Sequence, residues 1–80
     1  MINSEIQNKA LLRALKKEGL EDMKLIRGAG YFYWMSNTNR KLGLALVNAE
    51  VVLVCYFHHL SIVDWVQEAK EAYQNAMGDN

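Results

Sequence analysis

The chain has 80 residues, 51% of them hydrophobic, with nine basic and nine acidic side chains and a formal net charge of zero. That length holds a single domain spanning residues 1–80, and the apolar content argues against a disordered chain. Neutrality argues against the basic excess of a dedicated DNA binder and against the acidic excess of a nucleic-acid mimic.

The first predicted element is a helix over residues 4–18. Ser4 can cap it, with Gln7 completing a capping box. Ile6, Ala10, Leu11, Ala14 and Leu15 share one face, and Lys9, Arg13, Lys16 and Lys17 lie mostly off it. Gly19 is the expected left-handed stop, with Leu20 folding back on Leu15. A strand over residues 23–27 follows, then a turn at Gly28-Ala29-Gly30. A second strand over residues 31–35 places Tyr31, Tyr33 and Met35 on one face and Phe32 and Trp34 on the other.

Residues 36–41 read as a polar loop. Residues 42–47 fit either a short strand or a loop crossing the core, since Gly43 disfavours a strand. A turn is expected at residues 48–50. The apolar run Val51-Val52-Leu53-Val54-Cys55-Tyr56-Phe57 has the β-branched and aromatic composition of a buried strand and is too short to span a membrane. A last helix is predicted over residues 62–77. Ser61 caps it, Leu60 and Trp65 occupy the staple positions, and Gly78 ends it. Its buried stripe is Ile62, Val66, Ala69, Tyr73 and Ala76.

These elements predict an α+β fold of order α-β-β-(β)-β-α, a small antiparallel sheet with both helices packed on one face. The other face of the sheet is left partly bare and lined by alternate aromatic residues. The single cysteine, Cys55, excludes an internal disulfide and is expected as a small buried hydrophobe. Residues 1–5 lack the basic and apolar succession of a signal peptide, so a reducing cytoplasm is the expected location.

No constellation of nucleophile, base and orienting group emerges along the chain, so no catalytic residue, metal site or cofactor is assigned. Gly28-Ala29-Gly30 leads into a strand, whereas a phosphate loop needs a helix behind it. His58 and His59, adjacent at a strand end, would point in opposite directions and so would not chelate one ion together. Glu21 and Asp22 are adjacent loop carboxylates suited to solvent.

Tyr31, Tyr33 and Tyr56, with Trp34 and flanked by Arg27, Arg40 and Lys41, match a platform for stacking bases, although core packing and a protein interface account for the same residues. The expected binding surface combines Tyr31, Tyr33 and Tyr56 with Asn37, Asn39, Arg40 and Lys41 of the polar loop.

Gly30-Tyr31-Phe32-Tyr33-Trp34, Val52-Leu53-Val54-Cys55-Tyr56, and His59-Leu60-Ser61 with Trp65 together resemble small proteins of bacteriophages, prophages and plasmids. In those, a G-Y-F-Y strand precedes a V-x-V-x strand and a helix start of the form L-[ST]-x-x-x-W. The resemblance covers about residues 15–70, and the chain departs from it at residues 42–47, which are more apolar than a loop there. It implies a mobile-element origin and a bacterial cytoplasmic location, and brings no catalytic residues.

The sequence therefore predicts a non-enzymatic accessory protein that binds a protein partner or forms a homodimer, without a membrane. Single-stranded nucleic-acid binding through the aromatic sheet face, and inhibition of a host defence or replication protein, are the alternatives.

Overall fold

A computed structural model describes residues 4–47 and 51–77. The elements run β1 (Ser4–Glu5), α1 (Lys9–Lys17), β2 (Lys24–Arg27), β3 (Phe32–Met35), α2 (Arg40–Leu46), a 3-10 turn (Phe57–His59) and α3 (Ile62–Met77). The fold is α+β, with one antiparallel sheet of order β1-β2-β3 and the helices packed against it.

The first helix begins later than its apolar spacing suggests. Asn8 is the cap, its Oδ1 accepting from the Leu11 amide at 2.9 Å, and Ser4 and Glu5 instead pair with Arg27 and Ile26. Ile6 continues that edge, its amide donating to the Leu25 carbonyl at 2.9 Å. The far end of α1 closes as expected. Gly19 has φ 75°, the Leu20 amide reaches the Leu15 carbonyl at 2.8 Å, and the Gly19 amide reaches that of Lys16 at 3.1 Å.

β2 and β3 pair with Leu25 opposite Trp34 and Ile26 opposite Tyr33. Alternation sends Leu25, Phe32 and Trp34 to the core, and leaves Tyr33 and Met35 half-buried on the other face. The connecting turn depends on Gly28, whose amide donates to the Tyr31 carbonyl at 2.8 Å. A Cβ there would fall inside the Tyr31 ring, which lies directly over this glycine.

Residues 42–47 are neither strand nor loop. Arg40–Leu46 is a helix, capped by Asn39, whose Oδ1 accepts from the Leu42 amide at 3.0 Å. Leu42 and Leu46, one helical turn apart, are the buried pair. Gly43 lets α2 lie close on the preceding loop, because an added Cβ would stand 2.7 Å from the Ser36 carbonyl oxygen.

The run 51–57 is also corrected. Only Val52 pairs with β3, exchanging both backbone bonds with Phe32 at 2.7 and 2.9 Å. The Val54 amide then turns back to the Val52 carbonyl at 3.1 Å, which ends the extended stretch. Alternation survives locally: Val52 and Val54 pack against the core, while Val51, Leu53 and Cys55 are exposed. Cys55 is therefore a surface thiol, not a buried hydrophobe. The expected turn at residues 48–50 and the stop at Gly78 lie outside the described residues.

α3 matches its predicted bounds, with Ser61 Oγ accepting from the Asp64 amide at 3.1 Å. Trp65 is the centre of the core. Its ring meets Phe32 edge-on at 5.1 Å and Trp34 at 6.4 Å, and stacks on Phe57 at 5.6 Å with an interplanar angle of 7°. Leu11 and Leu15 of α1 and Leu42 and Leu46 of α2 complete the same cluster.

Candidate interaction surface

The segment 51–59 is held to the body at alternate points. Val52 is bonded to β3, and Val54, Phe57 and Leu60 pack against the core. Phe57 is fixed twice, by its ring stacked on Trp65 and by its carbonyl, which accepts from Trp65 Nε1 at 2.8 Å. The His59 amide donates to the Tyr56 carbonyl at 3.1 Å, closing the 3-10 turn. These anchors direct the remaining side chains outward.

What is presented is apolar and aromatic. Leu53 is 80% exposed, Tyr56 51% and Val51 42%, beside the exposed Cys55, His58 and His59. Tyr56 stacks on His58 at 5.6 Å and meets His59 edge-on at 5.2 Å, and the two imidazoles are 5.3 Å apart. The expectation that strand alternation would separate the histidines therefore fails, because in a 3-10 turn neighbouring side chains diverge by about 120° rather than pointing to opposite faces. Among the described residues no group of three or more His, Cys, Asp or Glu side chains is arranged to hold a metal ion.

The antiparallel bridge at Val52 sets this segment along the edge of β3 at Phe32, and on the outer face of the sheet Tyr31 and Tyr33 stack at 5.9 Å. Both tyrosines are half-buried. Tyr56 is not part of that stack; its ring contacts are His58 and His59.

The polar loop residues have separate settings. Asn39 is a helix cap, its amide also donating to Ser36 Oγ at 3.1 Å. Asn37 is exposed, and Arg40 and Lys41 are exposed on the first turn of α2. Thr38 Oγ1 donates to Asp22 at 2.7 Å, tying this loop to the turn before β2.

Sequence reasoning missed Val51 and Leu53 as surface groups, because a buried strand covered on both faces would have enclosed them. The signal available was the alternation itself, which separates Val52 and Val54 from Val51, Leu53 and Cys55.

Chemically, the arrangement is an exposed apolar and aromatic surface carried on anchored backbone. Large apolar groups and a tyrosine stand on backbone already fixed, so little conformational entropy would be lost when a partner covers them. No helix among the described residues is long and apolar enough to cross a membrane. No protein-family model, curated protein or solved structure matches this chain.

Proposed function

We propose that this chain is a non-enzymatic, cytoplasmic accessory protein of phage or prophage type that acts by binding a protein partner through segment 51–59. A host defence or replication factor that the chain inhibits is one such partner. The observation that carries this reading is the anchored display of Val51, Leu53 and Tyr56. Concentrated exposure of large apolar residues on a small domain marks an interaction site, and tyrosine is enriched among the residues that dominate binding energy.

The test is a pull-down from bacterial lysate with the intact chain, with Leu53→Glu and with Tyr56→Ala. A specific partner retained by the intact chain and lost by both variants, at unchanged thermal stability, is the expected result. A capture profile identical for all three would refute the proposal. Fluorescence anisotropy with short oligonucleotides at low salt serves as the competing measurement: tight, salt-sensitive binding lost on Tyr31→Ala would assign the aromatic face to single-stranded nucleic acid instead.

A further inference from the structure

Two charged stripes on the helices are not used by segment 51–59. On α1, Lys9, Arg13 and Lys16 follow one another at i, i+4 and i+7 and are all exposed. They lie on the side opposite the buried Leu11 and Leu15, and α1 contains no acidic residue. On α3, Asp64, Glu68 and Glu71 repeat the same spacing with the opposite charge. At 1.5 Å rise per residue, each stripe extends over about 10 Å of helix.

The carboxylate stripe lies on the flank of α3 away from Lys70, which reaches back to α1 through a 3.1 Å ion pair with Glu18. Its members crowd one another. Burial, then the neighbouring Glu71 and Asp64, hold the Glu68 carboxyl above its ordinary range. Glu71 accepts one hydrogen bond, from Gln67 Nε2 at 3.2 Å. Among the described residues the ion pairs are Lys24 with Glu5 and Lys70 with Glu18, and none of these residues belongs to either stripe.

Between the stripes runs an open groove of about 280 Å³ along the α1–α3 seam. Ala14, Ile62, Val63 and Val66 supply its apolar lining, and Lys17, Gln67 and the Glu18–Lys70 ion pair line it as well. Val63 is 76% exposed.

We propose that this seam is the interface of a two-fold dimer, in which α1 of each copy lies along α3 of the other. The cation stripe of one copy then faces the carboxylate stripe of its partner, twice, around the two Val63 side chains. An isologous interface needs a self-complementary patch, and one copy of this chain supplies both halves at matching spacing. The apolar seam and charged margins reproduce the core and rim of protein interfaces. A polyanion would satisfy the α1 stripe and be repelled by the α3 stripe, so a second copy is the better fit. This dimer goes beyond the partner-binding reading and uses different residues.

Sedimentation equilibrium of the full chain tests it, at about 20 mM and about 0.5 M salt, where screening differs greatly. The set comprises the native chain, Arg13→Glu, Glu68→Lys and an equimolar mixture of the two variants, each confirmed folded by circular dichroism. The expected result is a dimer at low salt whose dissociation constant rises about tenfold or more at high salt and in either single variant. The mixture should restore it, since a heterodimer sets the two reversed side chains against each other at one contact and keeps Arg13 against Glu68 at the other. A monomer at low salt, a dimer indifferent to both reversals, or a mixture that fails to associate would each overturn the proposal. Leu53→Glu should leave the dimer intact, so loss of partner capture and loss of the dimer remain separate results.

Discussion

Two buried tryptophans offer the same chemical change in opposite settings. Trp65 Nε1 donates to the Phe57 carbonyl at 2.8 Å, whereas Trp34 Nε1 is buried without an acceptor among the described residues. Replacing either by phenylalanine removes the same ring atoms from a site that is almost fully buried, 0% exposed at Trp65 and 4% at Trp34. The packing losses are therefore similar and largely cancel in a comparison. What differs is the N–H. At Trp65 the substitution gives up a hydrogen bond contributing about 0.5–1.5 kcal/mol, while at Trp34 it removes an unsatisfied donor whose burial costs about 1–3 kcal/mol.

Trp65→Phe should then be the less stable variant by about 2 kcal/mol or more. For a domain of this size that gap corresponds to about 10 °C in Tm, at about 4–8 °C per kcal/mol. The whole fold is expected to be stable by only about 4–12 kcal/mol, so the difference is large on its scale. Thermal and urea melts followed by circular dichroism measure it. A Trp34→Phe variant that loses as much stability as Trp65→Phe, or more, would refute this hydrogen-bond reasoning.

Asn39→Ala should cost about 1 kcal/mol in a urea melt through loss of the α2 cap, while Asn37→Ala, at an exposed position, should stay within about 0.5 kcal/mol. Gly43→Ala should destabilise the protein by about 1–3 kcal/mol, because the new methyl meets the Ser36 carbonyl oxygen and outweighs the roughly 1 kcal/mol gain in helix propensity. A more stable Gly43→Ala variant would show that α2 can withdraw from that loop at little cost. Glu68 has a carboxyl raised above 4.5 by burial and by Glu71 and Asp64, so its contribution to stability is fully present below its unfolded value and is lost as pH rises through the folded one. In dilute protein at about 0.5 M salt, where the proposed dimer is dissociated, Glu68→Gln should therefore raise Tm at pH 7 relative to the native chain, and the advantage should vanish in melts well below pH 4.5.

The β2–β3 hairpin and α3 were legible because local signals agree there. Gly28 and Gly30 punctuate the hairpin, and strict alternation divides Phe32 and Trp34 from Tyr33 and Met35. Ser61, Leu60 and Trp65 mark the start of α3 together. α2 was not legible, because Leu42, Leu44 and Leu46 fit a period of two while Leu42 and Leu46 also fit a helical turn. The Asn39 cap decides between them, and Leu44 is left exposed. The run 51–57 failed for a different reason. Its composition favours a strand, but a strand needs a partner along its length, and β3 bonds it at Val52 alone. On the candidate surface, Tyr31 and Tyr33 were correctly placed on one face, whereas Tyr56 was misgrouped with them because its setting depends on the 3-10 turn.

That turn links the core to the proposed contact surface through one residue pair. Trp65 takes both the ring and the carbonyl of Phe57, and this double hold draws the chain out of the extended form just where Tyr56, His58 and His59 follow. The outward set of segment 51–59 is thus fixed by the buried Trp65, by partly buried side chains packed on the core and by backbone. Substitutions at Leu53 or Tyr56 touch none of these anchors, so partner binding can be removed while the fold keeps its stability. Substitutions at Phe57 or Trp65 release the anchors, so there binding and stability must fall together. The separation of these two mutational classes distinguishes a surface built for contact from apolar residues stranded by an incomplete strand, for which Leu53 and Tyr56 would be silent in every assay.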